Sequence, residues 1–253
     1  MLTILLFFAA HWYLSLFSQT FFLHRYAAHR VFTMSPFWEK FFYVFTFITQ
    51  GSSYLSPYAY GILHRLHHEH ADTENDVHSP KYDKSLMSMM LRTARTYNDI
   101  LEEKTFIDPK YKKALPYWKP MESIADSWVA RVFWLVVYTA FYVAFVPDDA
   151  LWLYILLPIH YTMGPVHGAI INWFSHKYGY VNFKVNDTSK NMLPFDFLMM
   201  GEGYHNNHHT YQARANFGGF RWHEIDPTYP VIRVLHALRI IKLRRVPQTA
   251  AAY

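Results

Sequence analysis

Four stretches of this chain run sixteen residues or more without an Asp, Glu, Lys or Arg: 1–23, 41–63, 132–147 and 150–171. About 20 mostly apolar residues are needed for a helix to cross a bilayer. The pattern therefore predicts a span at 1–23 and a helical hairpin at 132–147 and 150–171, broken at Pro147-Asp148-Asp149. The first run lacks the basic start and small-residue cleavage site of a signal peptide, so it reads as a retained anchor. The run 41–63 contains Gly51-Ser52-Ser53 and Pro57, which interrupt a helix. It reads as an interfacial or re-entrant segment packed on protein. Residues 84–105 look helical and polar. In 228–245, Val231, Leu235, Leu238 and Ile241 alternate with Arg233, Arg239, Lys242, Arg244 and Arg245. That pattern predicts a basic amphipathic helix, lying on a membrane surface or burying one face on protein. No repeat or flexible linker divides the chain, so 1–253 is read as one domain.

Charge orients these elements. Of 253 residues, 52% are hydrophobic and only 17% charged, against about 25% in ordinary soluble domains. All 24 Lys and Arg fall in 24–131 or 172–253. By the positive-inside rule both segments are cytosolic, and Met1 and the Asp148-Asp149 turn lie outside. Three spans result, in a multi-pass protein expected in a bacterial inner membrane with its site facing the cytoplasm. The net charge of +5 includes no Lys/Arg run before the tail, which argues against a nucleic-acid partner. The absence of Cys excludes thiolate-ligated zinc and iron–sulfur clusters.

Histidine is the unusual residue, at 16 copies. Nine fall in four groups: His24 and His29; His64, His67 and His68; His176, four residues after Asn172; and His205, His208 and His209. Helix positions i, i+3 and i+4 share a face, so each H-x-x-H-H set can point one way. An i, i+5 pair is turned by roughly 140° in an α-helix. His24 and His29 are therefore expected to approach a site from two sides rather than share one metal. Because 41–63 lies between histidine groups that share a site, its ends belong on one side of the membrane. Imidazole suits Zn, Cu, Fe and Ni, and nine ligands suffice for two ions. A membrane-bound, all-histidine pair of metals argues for iron doing oxygen chemistry. The remaining seven histidines (His11, His70, His78, His160, His167, His223 and His236) are left out; His70 and His78 sit close enough to the second set to support its ligands, but are read first as surface polar residues.

At these motifs the chain resembles the membrane fatty-acid desaturases, specifically the Δ9 acyl-CoA (stearoyl-CoA) type. Thr73, Asp76 and His78 in ADTENDVHSP, HKYGY at 176–180, GEGYHNNHH at 201–209 and RWHEIDPTY at 221–229 extend the likeness over most of 24–245. The resemblance implies an all-α integral membrane fold, a helical stem bearing a cytosolic cap that holds an all-His di-iron site beside a kinked acyl tunnel. Its iron ligands would be His24, His29, His64, His67, His68, His176, His205, His208 and His209, with Asn172 holding a metal-bound water. Side chains matching Trp12 and Leu16 close the tunnel in that family, so these two are candidates for its end. Two departures stand out. The family usually has four spans, and the first has no counterpart here. Animal acyl-CoA enzymes carry Arg-Asp before the second histidine set where this chain has Ile62-Leu63. Acyl-CoA, acyl carrier protein and phospholipid all remain open as carriers.

The implied function is O2-dependent insertion of a cis double bond, at Δ9, into a saturated long-chain acyl group. Two iron ions and O2 are required, together with electrons from a separate donor protein, ferredoxin-like or cytochrome b5-like. The basic face around Arg239 to Arg245 is a candidate dock for an acidic donor. The alternatives are a di-iron lipid hydroxylase and a non-catalytic metal-binding membrane protein. The order of the histidine groups favours desaturation over hydroxylation. A transporter would hold its ligands near the bilayer midplane.

Overall fold

In the computed structural model, which describes residues 1–244, the first apolar run is longer as a helix than as a pattern. Helix α1, Leu2–Phe17, continues without a break into a π-helix, Ser18–Ala28. His24 is therefore inside the helix rather than past its end. A short strand β1, Phe32–Met34, leads into α2, Pro36–Gln50, whose N-terminus is capped by Ser35 and started by Pro36. The expected break follows. Gly51 adopts φ 54°, and a Cβ there would overlap the Tyr138 hydroxyl, so the chain turns where only glycine fits. Ser56 and Pro57 then start α3, Pro57–His70, which carries the second histidine set.

Helices α4, Leu86–Leu101, α5, Pro109–Lys112, and α6, Lys119–Ala125, follow. Helix α7, Trp128–Phe145, is the second long apolar helix. Leu2–Ala28 and Trp128–Phe145 are each long and apolar enough to cross a membrane. Their outward faces are apolar: Leu2, Leu6 and Leu14 on the first, and Val129, Phe133, Val136 and Val143 on α7, are exposed.

The third run departs from the expected straight arm. It is a 3₁₀ helix at Asp148–Leu156, then α8, Leu157–Tyr161, α9, Met163–Ala169, and a π-helix, Ile170–Phe174. Pro158 and Pro165 lack the N–H that a continuous helix needs, and the backbone leaves helical geometry at Ala150 and Thr162. Buried polar bonds fasten these elements: His11 Nδ1 meets His160 Nδ1 at 2.6 Å, and Tyr142 meets His160 Nε2 at 3.0 Å.

Helix α10, His205–Thr210, carries the third histidine set, and α11 spans Thr228–Ala237. The expected helix over 228–245 thus ends early. Arg239 turns at φ 60°, and β2, Ile241–Leu243, pairs antiparallel with β1. The spacing read as helical was a strand spacing: Ile241 and Leu243, two apart, turn inward while Lys242 is exposed. Arg245 lies outside the described residues. Among the described residues these two strands form the only sheet, and the fold is otherwise helical.

Candidate metal centre

The π-helix decides where the first two histidines go. Its i→i+5 bonding, seen in the His29 N–H donating to His24 O at 3.1 Å, brings residue i+5 onto the turn above residue i. The ring centroids of His24 and His29 lie 4.9 Å apart, in one cluster. The expectation that they would not share a metal fails, because it assumed α-helical geometry.

The other two sets each divide. In an α-helix, i+4 lies about 40° to one side of i and i+3 about 60° to the other. His64 and His68 join His24, His29 and His208; His67 joins His176, His205 and His209. One ring nitrogen of each member lies within 4.8 Å of the rest of its group. Every one of the nine histidines is thus brought into one of two adjacent groups, and each H-x-x-H-H helix serves both. Asn172 lines the cavity between Leu16 and His205.

Two arginines within these motifs tie them together. Arg25, fully buried, reaches Glu202 at 3.2 Å and Asp226 at 2.7 Å and stacks on Phe217. This joins the first set to the third. Arg65 donates to the carbonyls of Ala27, Ala28, Tyr111 and Lys113, joining the second set to the end of the π-helix. Behind α10, Asn206 accepts from the N–H groups of Asn182 and Phe183, and Asn207 donates to Glu224 and Phe217 O. The two asparagines of H-N-N-H-H hold the back of the helix while its histidines face the centre.

A metal fits the donors. His67 and His209 donate Nδ1–H to Asp76 at 2.9 Å and Asp187 at 2.8 Å, and their buried Nε2 atoms have no protein partner. Such a carboxylate fixes the tautomer and leaves Nε2 as a lone-pair donor. His24 Nδ1 meets Glu202 at 2.6 Å in the same way. Elsewhere the Nε2 atoms converge: His24 and His208 at 3.0 Å, His29 and His64 at 2.8 Å, His176 and His205 at 3.1 Å. Two nitrogens bound at right angles to one ion, each about 2.0–2.1 Å from it, would stand ~2.9 Å apart. Burial, then the neighbouring imidazoles, hold His29, His64, His68, His205 and His208 well below the usual histidine range. These rings are neutral at pH 7, the state a metal requires.

Sequence reasoning missed the carboxylates. Glu202 and Asp76 stood inside motifs already singled out, and their proximity to histidines in sequence was the available signal. Asp187 had none, because the fold brings it to His209 from another segment. His78 also needs correction: it is buried rather than at the surface and stacks on His67 at 4.3 Å. His70 is partly exposed, as read.

Fold and site together define a helical membrane protein with two buried histidine groups able to hold metal. The chain belongs to the fatty acid desaturase family, whose pattern matches residues 1–239. The sn-1 stearoyl-lipid 9-desaturase of Synechocystis sp. is 29% identical over 236 residues, covering 90% of this chain and 68% of that one. Delta-9 desaturase-like 5 protein of Arabidopsis thaliana is 28% identical, over 91% of this chain and 73% of its own length. The icosanoyl-CoA 5-desaturase of Limnanthes douglasii is 27% identical, over 90% and 60%. The protein is an oxidoreductase of lipid metabolism, a desaturase.

Proposed function

We propose that this enzyme inserts a cis double bond at Δ9 of a saturated long-chain acyl group, using O2, two iron ions and electrons from a separate protein. The observation carrying this reading is the pair of buried histidine groups. Five nitrogens in one group exceed the four of a structural zinc site, which favours a metal of higher coordination. The proposed ligands are His24, His29, His64, His68 and His208 for one ion and His67, His176, His205 and His209 for the other, with Asn172 holding a water.

The acyl CH2–CH2 loses two hydrogens, and O2 takes up four electrons and four protons to leave two waters. Two electrons and two protons therefore come from outside the substrate. Bound iron supplies the O2 chemistry that no protein acid or base can perform. The chain's own groups do the rest. Asp76, Asp187 and Glu202 orient the ligand rings, and burial keeps bulk water away. A narrow cavity of about 40 Å³ runs beside both groups, lined by His24, His64, His205, Asn172, Leu16 and Met199. Its volume suits a few carbons, so we place the reacting part of the acyl chain there, with the tail directed towards Leu16. We assign Trp12, which packs against the cluster around Leu16, as the stop beyond that end: its indole N–H donates to Leu198 O at 3.1 Å and its ring meets the His167 ring edge-on at 4.5 Å. Trp12→Ala should shift products to longer chains in the fatty acid profile; an unchanged profile with activity intact would place the tail elsewhere. Ile62 and Leu63 are buried in apolar surroundings, which supports an acyl carrier other than CoA at that point.

Expression in a host lacking desaturases tests the function. Gas chromatography should show a cis-9 monoene in air and none without O2, with His64→Ala and His205→Ala inactive. A hydroxylated product, or zinc alone in active protein, would overturn the reading. Acyl-CoA, acyl carrier protein and phospholipid substrates supplied in vitro separate the carriers.

A further inference from the structure

Of the nine clustered histidines, seven are buried and two, His29 and His68, are partly exposed. Both belong to the five-membered group, and both line one open cleft of about 800 Å³. Its walls carry Arg30, Arg65, Lys110, Lys113 and Arg244 against a single acid, Glu69, which Lys110 pairs at 2.6 Å. Arg65 is committed to four carbonyls, whereas Lys113 and Arg244 are exposed and the buried Nε of Arg30 has no partner among the described residues. This cleft shares no lining residue with the acyl cavity, which reaches the centre from the side of His24, His64 and His205.

We propose that the cleft over His29 and His68 is where an acidic one-electron redox protein docks and delivers electrons. The inference rests on the reading that electrons come from a separate donor. Each docking event transfers one electron from the reduced partner to the metal pair, and two events supply the two that each double bond needs. Among the described residues His29 and His68 are the only ones of the nine that line this cleft, so the shortest route inward starts at them. The cationic rim steers an acidic partner onto that spot. A cleft meant for the acyl chain would continue as an apolar slot, and this one ends on imidazoles and basic side chains. The docking site therefore lies at Arg30, Lys110, Lys113 and Arg244 rather than along residues 239–245 as a helix.

Two acidic probes test this: a reduced plant-type [2Fe–2S] ferredoxin and reduced soluble cytochrome b5. Stopped-flow oxidation of at least one by the metal-loaded enzyme at low salt should slow about tenfold or more in Lys110→Glu/Lys113→Glu. The salt dependence should flatten, while the apparent KM for acyl substrate and the rate with photoreduced neutral deazaflavin stay unchanged. Independently of turnover, a photo-crosslinker on Lys113→Cys, the only thiol in the chain, should capture the probe, and one on Lys104→Cys should not. Capture without desaturation would locate failure in the functional reading and leave the dock intact. Neither probe being oxidised, equal rates in wild type and variant, or equal capture at both positions would overturn the proposal. So would a raised acyl KM with donor kinetics unchanged, which would make the cleft a headgroup site.

Discussion

Asp187 shows how much a single carboxylate decides. Burial works against its ionisation, but the bond from His209 and those from Ser189 hold it below the ordinary carboxylate range. It thereby fixes His209 with Nε2 turned to the centre. Asp187→Ala should weaken metal binding by about 10–100-fold, read by chelator competition and elemental analysis. Asp83→Ala, which loses only a pair with Arg92, should leave metal content unchanged. Glu122 behaves oppositely. Burial, followed by the charge of Asp126, pushes it from 4.5 up to about 7. Below pH 4.5 its carboxyl is protonated in folded and unfolded chains alike. Between 4.5 and about 7 only the unfolded chain gives up the proton, so stability falls as pH rises and levels off above 7. The loss is about 3 kcal/mol. Glu122→Gln should raise Tm relative to wild type at pH 8 and not at pH 4; equal gains at both would mean that ionisation is not the cause.

At the scale of elements, the π-helix and the Gly51 turn each place a functional group. The π-helix stacks His24 and His29, and Gly51 lets α2 end against α7 so that α3 can start beside the π-helix. Gly51→Ala forces a side chain into a positive-φ conformation costing about 1–3 kcal/mol, and its Cβ also meets the Tyr138 hydroxyl. Thermal denaturation should show a clear loss. Adding Tyr138→Phe should recover part of it, since the overlap with the hydroxyl goes while the close ring carbon at 2.8 Å and the backbone strain stay. Full recovery would assign the whole cost to the overlap.

At the scale of the whole molecule, the basic residues and the nine clustered histidines share the segments 24–131 and 172–253, and two of the apolar runs meet at Asp148 and Asp149. A three-span arrangement predicts that single cysteines at Asp149→Cys and Lys104→Cys label from opposite faces of sealed vesicles with an impermeant reagent. Labelling from the same face would require an even number of crossings between them. Of the apolar runs the two positions flank α7 alone, and the third apolar run, broken at Ala150 and Thr162, lies beyond them.

The sequence by itself determined the local chemistry: which stretches are apolar, which nine histidines come together, and that two H-x-x-H-H sets belong on helices. Those features depend on neighbours a few residues apart, and side-chain type alone reveals them. How the histidines divide between two groups was decided by tertiary structure. A π-helix differs from an α-helix by one residue in the hydrogen-bond step, and no residue in SQTFFLHRYAA announces it. Packing against α2 and α3 fixes it, with Arg25 bound to Glu202 and Asp226 from 177 and 201 residues away. The carboxylates behind the rings, the end of α11 at Ala237 and the exposure of His29 and His68 are likewise set by distant segments. They depend on which surfaces remain uncovered once the helices pack, and that is a property of the assembled fold.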